Sequence, residues 1–170
     1  MITRTTILFA FALCASLAIA DDSAKKQAKS DDLKPIAALQ GTWIQIKPAP
    51  AEGQKPATLV FRPTAGGSAI METMSAGADH EMLNVYTEDD KGVLLTHYCI
   101  MGNQPRMRLT SANDGVLKFE YVDAGNLKSR DEAHMDSLQI TVKGDQMKQD
   151  WSMYQDGKVT GHHAFEFKRQ

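Results

Sequence analysis

Cysteine is nearly absent from this chain, with two in 170 residues, Cys14 and Cys99. A small domain stapled by disulfides needs paired cysteines, so a packed core must supply the stability. Charge of one sign is also missing, since 19 Lys+Arg face 21 Asp+Glu. Sequence-independent nucleic-acid binding needs a clustered basic field, and this balance excludes it. Long apolar runs are missing too. The longest, Thr5–Ala20, has 16 residues, short of the ~20 that a spanning helix needs. No G-x-S-x-G, H-E-x-x-H or Gly-rich phosphate loop occurs. What the chain does have is 42% hydrophobic residues, too many for a disordered polymer.

The first 20 residues read as a secretory signal peptide. Arg4 supplies a positive start, Thr5 to Ala20 is apolar or small, and Ala18-Ile19-Ala20 precedes Asp21-Asp22 in a small-x-small cleavage pattern. Cys14 does not make this a lipoprotein signal, because Leu13 stands where a small residue is expected. Cleavage predicts a secreted or periplasmic protein of about 150 residues, one domain's worth of chain. It removes Arg4 and leaves 18 basic against 21 acidic side chains, a net of −3. Cys99 is then alone and is expected to be a buried small hydrophobe. Residues 21–30 are polar and read as a flexible leader, ahead of a single domain over residues 31–170.

That domain opens with Leu33, Ile36, Ala37 and Gln40 at helical spacing before Gly41, which predicts a two-turn helix starting near Pro35. From Thr42 onward, turn signals recur every 8–12 residues between runs rich in Val, Ile, Thr, Tyr and Phe, the pattern of an all-β barrel or sandwich. Ten strands are expected, at 42–47, 58–62, 68–74, 81–87, 93–100, 106–111, 116–123, 134–143, 146–154 and 158–169.

Three hairpins allow a sharper test, because loop length sets register. Asn113-Asp114-Gly115 as a three-residue loop opposes Leu109 to Phe119, Met107 to Tyr121, Arg108 to Glu120 and Thr110 to Lys118. Gly144-Asp145 as a type II′ turn opposes Val142 to Met147 and Leu138 to Trp151. Gln155-Asp156-Gly157 as a three-residue loop opposes Met153 to Val159, Trp151 to Gly161 and Met147 to Phe165. All three agree on one apolar face, with Trp151 and Phe165 inside and Lys118 and Glu120 outside. Hairpin-only connections then favour an up-and-down antiparallel β-barrel of eight to ten strands with a short N-terminal helix.

Leu39-Gln40-Gly41-Thr42-Trp43, between the helix and the first strand, resembles the Gly-x-Trp start of the lipocalin-like (calycin) barrels. The resemblance implies a helix closing one end, Trp43 packed beneath the core, and a late basic residue, Lys168 or Arg169, against it. The segment from Thr96 to Met107 is similar to one found in uncharacterised secreted bacterial proteins, and it implies a bacterial exported protein with no assigned activity.

Strict alternation puts tight turns with the helix at one end and the loops at 48–56, 75–79, 102–105, 124–133 and 155–157, three of them longer or richer in Pro and Gly, at the other. Ligands enter small barrels at such mouths. Continuing the register puts His134 and Asp136 on the face of Leu138 and Ile140, opposes Gln149 to His163, and sets Tyr121 with Phe119. Arg106 stands near the mouth, where an anionic group would meet it. The candidate ligand-binding set is therefore Tyr121, His134, Asp136, Gln149, His163 and Arg106. The expected function is binding of a small, partly apolar molecule in the lumen.

Two alternatives stand beside that reading. One is an enzyme using His134 and Asp136 as acid and base. The other is a solid-core structural domain in which these groups satisfy each other. His97 and Cys99 share a face, and His with Cys can hold zinc or haem iron. Two neighbouring ligands fall short of the four of a structural site, and His80 and His134 add only a distant pair. No metal, cofactor, nucleic acid or membrane span is therefore expected. Most of the eight methionines after Met1 fall at strand positions, where core filling accounts for them.

Overall fold

The computed structural model describes residues 31–170. The expected signal segment and leader, residues 1–20 and 21–30, lie outside the described residues. The domain begins with α1 (Lys34–Ala37), which has Pro35 in its first turn. It is half the expected length. Beyond Ala37 the bonds tighten to Leu39 N–H donating to Ile36 O (3.0 Å) and Gln40 N–H to Ala37 O (3.1 Å), a 3₁₀ continuation rather than a second α turn. Leu33, Ile36 and Leu39 are buried, so this short element still acts as a plug.

Ten strands follow: β1 (Gly41–Lys47), β2 (Thr58–Thr64), β3 (Ala69–Met74), β4 (Met82–Asp89), β5 (Gly92–Tyr98), β6 (Gln104–Asn113), β7 (Val116–Gly125), β8 (His134–Lys143), β9 (Gln146–Gln155) and β10 (Lys158–Arg169). Each pairs antiparallel with its neighbours in sequence, and β1 also pairs with β10. The sheet is thus a closed up-and-down barrel with no free edge. No helix among the described residues is long and apolar enough to cross a membrane.

The hairpin registers hold in part. Leu109 opposes Phe119, Met107 opposes Tyr121 and Arg108 opposes Glu120, but Ser111 rather than Thr110 opposes Lys118. The turn is tighter than expected: Asn113 pairs with Val116, with Asp114 at φ 50° and Gly115 at φ 75°. A bulge at Thr110 absorbs the extra residue. The β8–β9 hairpin has the expected pairs, Val142 with Met147 and Leu138 with Trp151, around Gly144 at φ 59°. In the last hairpin the face is right and the partners are wrong. Lys158 pairs with Gln155, and a bulge between Val159 and Gly161 then shifts the ladder. As a result Gly161 opposes Met153, His163 opposes Trp151, Gln149 opposes Phe165, and Met147 opposes Phe167. A shift of two preserves the side-chain face, so Trp151 is buried and Phe165 packs against the core while Lys118 and Glu120 are exposed.

The helix end of the barrel is filled and sealed. Trp43 is fully buried and its indole Nε1 donates to Leu39 O (2.8 Å). Arg169 lies over the Trp43 ring, 4.1 Å from its centroid. Its guanidinium also donates to Gln40 O (2.6 Å) and Ala38 O (3.3 Å). One side chain thereby satisfies carbonyls left open where α1 ends and covers the aromatic face beneath the core. Above Trp43, the side chains of Phe61, Ile70, Leu95, Met107, Phe119, Leu138 and Ile140 pack the lower lumen.

Candidate functional site

A belt of polar side chains crosses the lumen directly above that apolar packing. Register builds half of it: Glu72 on β3 opposes Asn84 on β4, which opposes His97 on β5. All three point inward because they alternate with Ile70, Tyr86 and Leu95 on the buried face. Gln149 and Trp151, two residues apart on β9, supply the other half from across the barrel. Glu72, Asn84 and Gln149 are completely buried, and His97 is 2% exposed.

The direction of the bonds in the belt follows from its donor end at Trp151 and its acceptor at the Glu72 carboxylate, on which both branches converge. The Trp151 indole can only donate, and it does so to Gln149 Oε1 (3.1 Å). Gln149 Nε2 must then donate onward, to Glu72 Oε1 (2.7 Å). The other carboxylate oxygen of Glu72 accepts from Asn84 Nδ2 (2.7 Å) and from the Tyr86 hydroxyl (2.6 Å). This orientation leaves Asn84 Oδ1 free to accept from His97 Nδ1 (2.7 Å). The His97 proton therefore sits on Nδ1, and Nε2 carries a lone pair. Nε2 is buried and has no hydrogen-bond partner.

Burial dominates the protonation of this belt. It pushes the Glu72 carboxyl up, against the hydrogen bonds from Asn84, Tyr86 and Gln149. It also pushes the Tyr86 hydroxyl well above its ordinary value, an effect reinforced by the Glu72 charge. The His97 imidazole is lowered to about 4, again by burial, so it stays neutral around pH 7.

Above the belt the barrel is hollow. A cavity of about 460 Å³ opens between the longer loops, and His97 and Trp151 are among its walls. The rest of its lining is mostly apolar, with Leu59, Met74, Met82, Met135, Met153 and Phe165. Cys99 lines it as a buried free thiol. His80 and His163 stand at its exposed rim, with Ile100 and Met101. A second recess, of about 580 Å³, is lined by residues of the 50–57 and 75–80 loops and shares Gln45, Ala57, Ser75 and His80 with the first. The expected open end is therefore the open end observed, and its volume falls within the range of small-molecule pockets.

Of the residues singled out in the sequence, Gln149 lies in the belt and His163 lies at the rim. They do not oppose each other, because of the bulge in the last hairpin. His134 and Asp136 are not on the cavity face. A bulge between Met135 and Ser137 makes Met135 the cavity-lining residue and pairs His134 with Tyr154. β7 and β8 pair only as far as Glu120 and Ser137, and Arg130 fills the gap that opens beyond. Its guanidinium lies 3.7 Å from the Tyr121 ring centroid and 3.8 Å from that of Tyr154. It also bonds His134 Nε2 and forms an ion pair with Asp136. His134 Nδ1 donates to Glu132 O (2.6 Å). Both ring nitrogens of His134 are thus engaged, leaving neither free as acid or base in this arrangement.

Arg106 forms an ion pair with Asp123 (2.5 Å) on the exposed face. Arg108 opposes Glu120 in register but grips Asp89 instead, with Nη1 at 2.5 Å and Nη2 at 2.9 Å. Among the described residues no group of three or more His, Cys, Asp or Glu could hold a metal ion. The residues that sequence reasoning missed are Glu72, Asn84 and Tyr86. Their signal is one polar residue in an otherwise apolar alternation, as in Ile70-x-Glu72-x-Met74 and Leu95-x-His97-x-Cys99.

Comparison with known proteins bears on the fold alone. No protein-family model matches the chain, and no curated protein matches it. Among solved structures it is similar to that of Rv2717c from M. tuberculosis, with a TM-score of 0.58 and 19% identity over 83% of this chain and 98% of that one. What that likeness establishes is a shared barrel architecture spanning nearly the whole of both folds.

Proposed function

We propose that this protein binds a small, largely apolar molecule in the open half of its barrel, with the polar belt as the floor of the site. The observation that carries the reading is an apolar cavity of about 460 Å³, open between the longer loops and lined mostly by apolar side chains, with methionine, leucine and phenylalanine among them. Gln149 supports the floor and His163 stands where a ligand enters. Tyr121, His134, Asp136 and Arg106 line no part of this cavity, and the proposal gives them no ligand contact.

Membership of the lipocalin-like family is part of the same proposal, supported by Gly41, Trp43 and the Arg169 guanidinium against the indole. So is export to the periplasm or beyond, supported by the apolar segment ending at Ala20. The test is titration with the neutral fluorescent probe N-phenyl-1-naphthylamine. Saturable binding at one site per chain is expected. Met82→Trp, which fills the mouth, should weaken it about tenfold or more while the variant still unfolds cooperatively. Probe binding unaffected by Met82→Trp, or absent altogether, would overturn the reading.

A further inference from the structure

We infer that the cavity and the recess beside it form one two-part site, for an amphiphile whose apolar tail enters the barrel and whose uncharged, hydroxyl-bearing head rests in the recess. The inference rests on the ligand-binding reading above and adds the chemical class. The two hollows adjoin, sharing Gln45, Ala57, Ser75 and His80 in their walls. Their linings differ in kind. The cavity is walled mostly by apolar side chains. The recess adds Gln54 and Thr58 to Gln45 and Ser75, four uncharged side chains that each donate and accept hydrogen bonds. Gln45 spends its Nε2 on Pro48 O (2.7 Å) and keeps its carbonyl oxygen. The side chains of Gln54, Thr58 and Ser75 form no hydrogen bond among the described residues, so their donors and acceptors are open to a head group.

The walls of the recess are tied together by the protein's own bonds. Gln45 holds both ends of the 48–57 loop, through its side-chain bond to Pro48 O and through its backbone N–H, which donates to Ala57 O (2.9 Å). Ser75 N–H donates to Thr58 O (2.7 Å), which joins the second wall to the first. Within that second wall Ala78 N–H donates to Ser75 O (3.0 Å) and Gly77 N–H to a Glu81 carboxylate oxygen (2.5 Å). A charged head fits poorly in either sign. Among the described residues no Asp or Glu lines cavity or recess, so an ammonium would give up hydration with no carboxylate to pair with. Lys55 lines the recess, but the 48–57 and 75–81 loops also carry Glu52, Asp79 and Glu81, an excess of negative charge that repels a carboxylate or a phosphate. Hydroxyl groups incur neither cost, and they donate and accept like the amides and hydroxyls around them. The apolar tail meets the methionine-lined walls of the cavity, which adapt to different shapes.

The test is displacement of N-phenyl-1-naphthylamine by four ligands with the same ten-carbon tail, each below its micellar concentration: decyl β-glucoside, 1-decanol, decanoate and decyltrimethylammonium. At about pH 7 decanoate is anionic, and the last carries a fixed positive charge. The glucoside should bind about fivefold or more tighter than decanol, the value of two hydrogen bonds, and about fivefold or more tighter than either ion. Ala76→Trp fills the recess from a position that does not line the cavity. In that variant the glucoside-to-decanol ratio should fall to about one, with decanol and the probe binding within about twofold of the parent. A second measurement needs no variant. In ¹⁵N-labelled protein, the Gln54 side-chain amide resonance should move on adding the glucoside and stay in place with decanol.

Equal binding of glucoside and decanol, or decanoate or decyltrimethylammonium matching the glucoside, overturns the inference. So does a glucoside preference that survives in Ala76→Trp, or a Gln54 resonance unmoved by bound glucoside. Those results leave the binding reading standing, provided the probe itself binds and is displaced. Failure of the probe and of every tail to bind overturns both.

Discussion

His97 is the residue on which chemistry and stability meet. Its pKa lies near 4 in the fold against 6.5 in the open chain, with burial as the cause. Between those values the unfolded chain binds a proton that the folded one refuses, so folding stability falls as the pH drops from 6.5 towards 4. The full shift corresponds to about 3 kcal/mol. Glu72 acts with the opposite sign, since a carboxyl raised by burial takes up its proton first in the folded state. Urea unfolding at about pH 7 and about pH 4.5 separates the two. His97→Phe should lose about 2–3 kcal/mol less than the parent over that interval, and an identical loss in both proteins would contradict the buried neutral imidazole. Trp151 is the other decisive residue, at 3% exposure. Trp151→Ala should cost about 3–5 kcal/mol, as large core truncations do. A loss below about 1 kcal/mol would mean that the indole neither packs the lumen nor anchors the belt.

Among the elements, the bulges matter more than the strands. The one at Asp136 decides which side chain reaches the cavity, exchanging His134 for Met135, while those at Thr110 and Thr160 set the partners in their ladders. Turns carry the matching constraint. Gly115 has φ 75°, and a Cβ there would lie 2.5 Å from Val142 O, a backbone atom that cannot swing away. Val142 N–H also donates to Gly115 O (2.8 Å), tying this turn to the neighbouring strand. Gly77 has nearly the same φ, 76°, with nothing within 4 Å. Both Gly→Ala changes incur the left-handed backbone cost of roughly 1–2 kcal/mol. Gly115→Ala should cost about 1–3 kcal/mol more, the penalty of overpacking. Equal urea midpoints for the two variants would show that β7 and β8 are not held this closely.

The molecule as a whole divides its work between two ends. At the helix end, α1, Trp43 and Arg169 close a filled core. At the other, the longer loops leave the cavity open. Arg169→Ala removes a cation from the Trp43 face and two charge-assisted hydrogen bonds to the carbonyls of Ala38 and Gln40. A destabilisation of about 2–3 kcal/mol is expected, with affinity for the naphthylamine probe retained within about twofold. Lost probe binding in a variant that is still folded would show that the two ends are coupled through the belt rather than independent.

Turn signals and two-residue alternation from Thr42 to Arg169 were enough to place ten strands, the inward face of Trp151 and the mouth between the longer loops, because these depend on residues close in sequence. The sealed end with a late basic residue was implied only by the resemblance that Gly41 and Trp43 carry. Bulges escaped that logic. One extra residue in a ladder costs little locally and is settled by the partner strand, so the Met135-for-His134 exchange had no signature in β8 alone. The belt escaped it for a stronger reason. Glu72 and Gln149 are 77 positions apart, and only closure of the barrel by β1 and β10 brings them across one lumen. Before closure, Glu72, Asn84 and His97 are isolated polar residues in apolar strands. After closure each satisfies its neighbour, with the donors converging on Glu72 from both sides of the lumen.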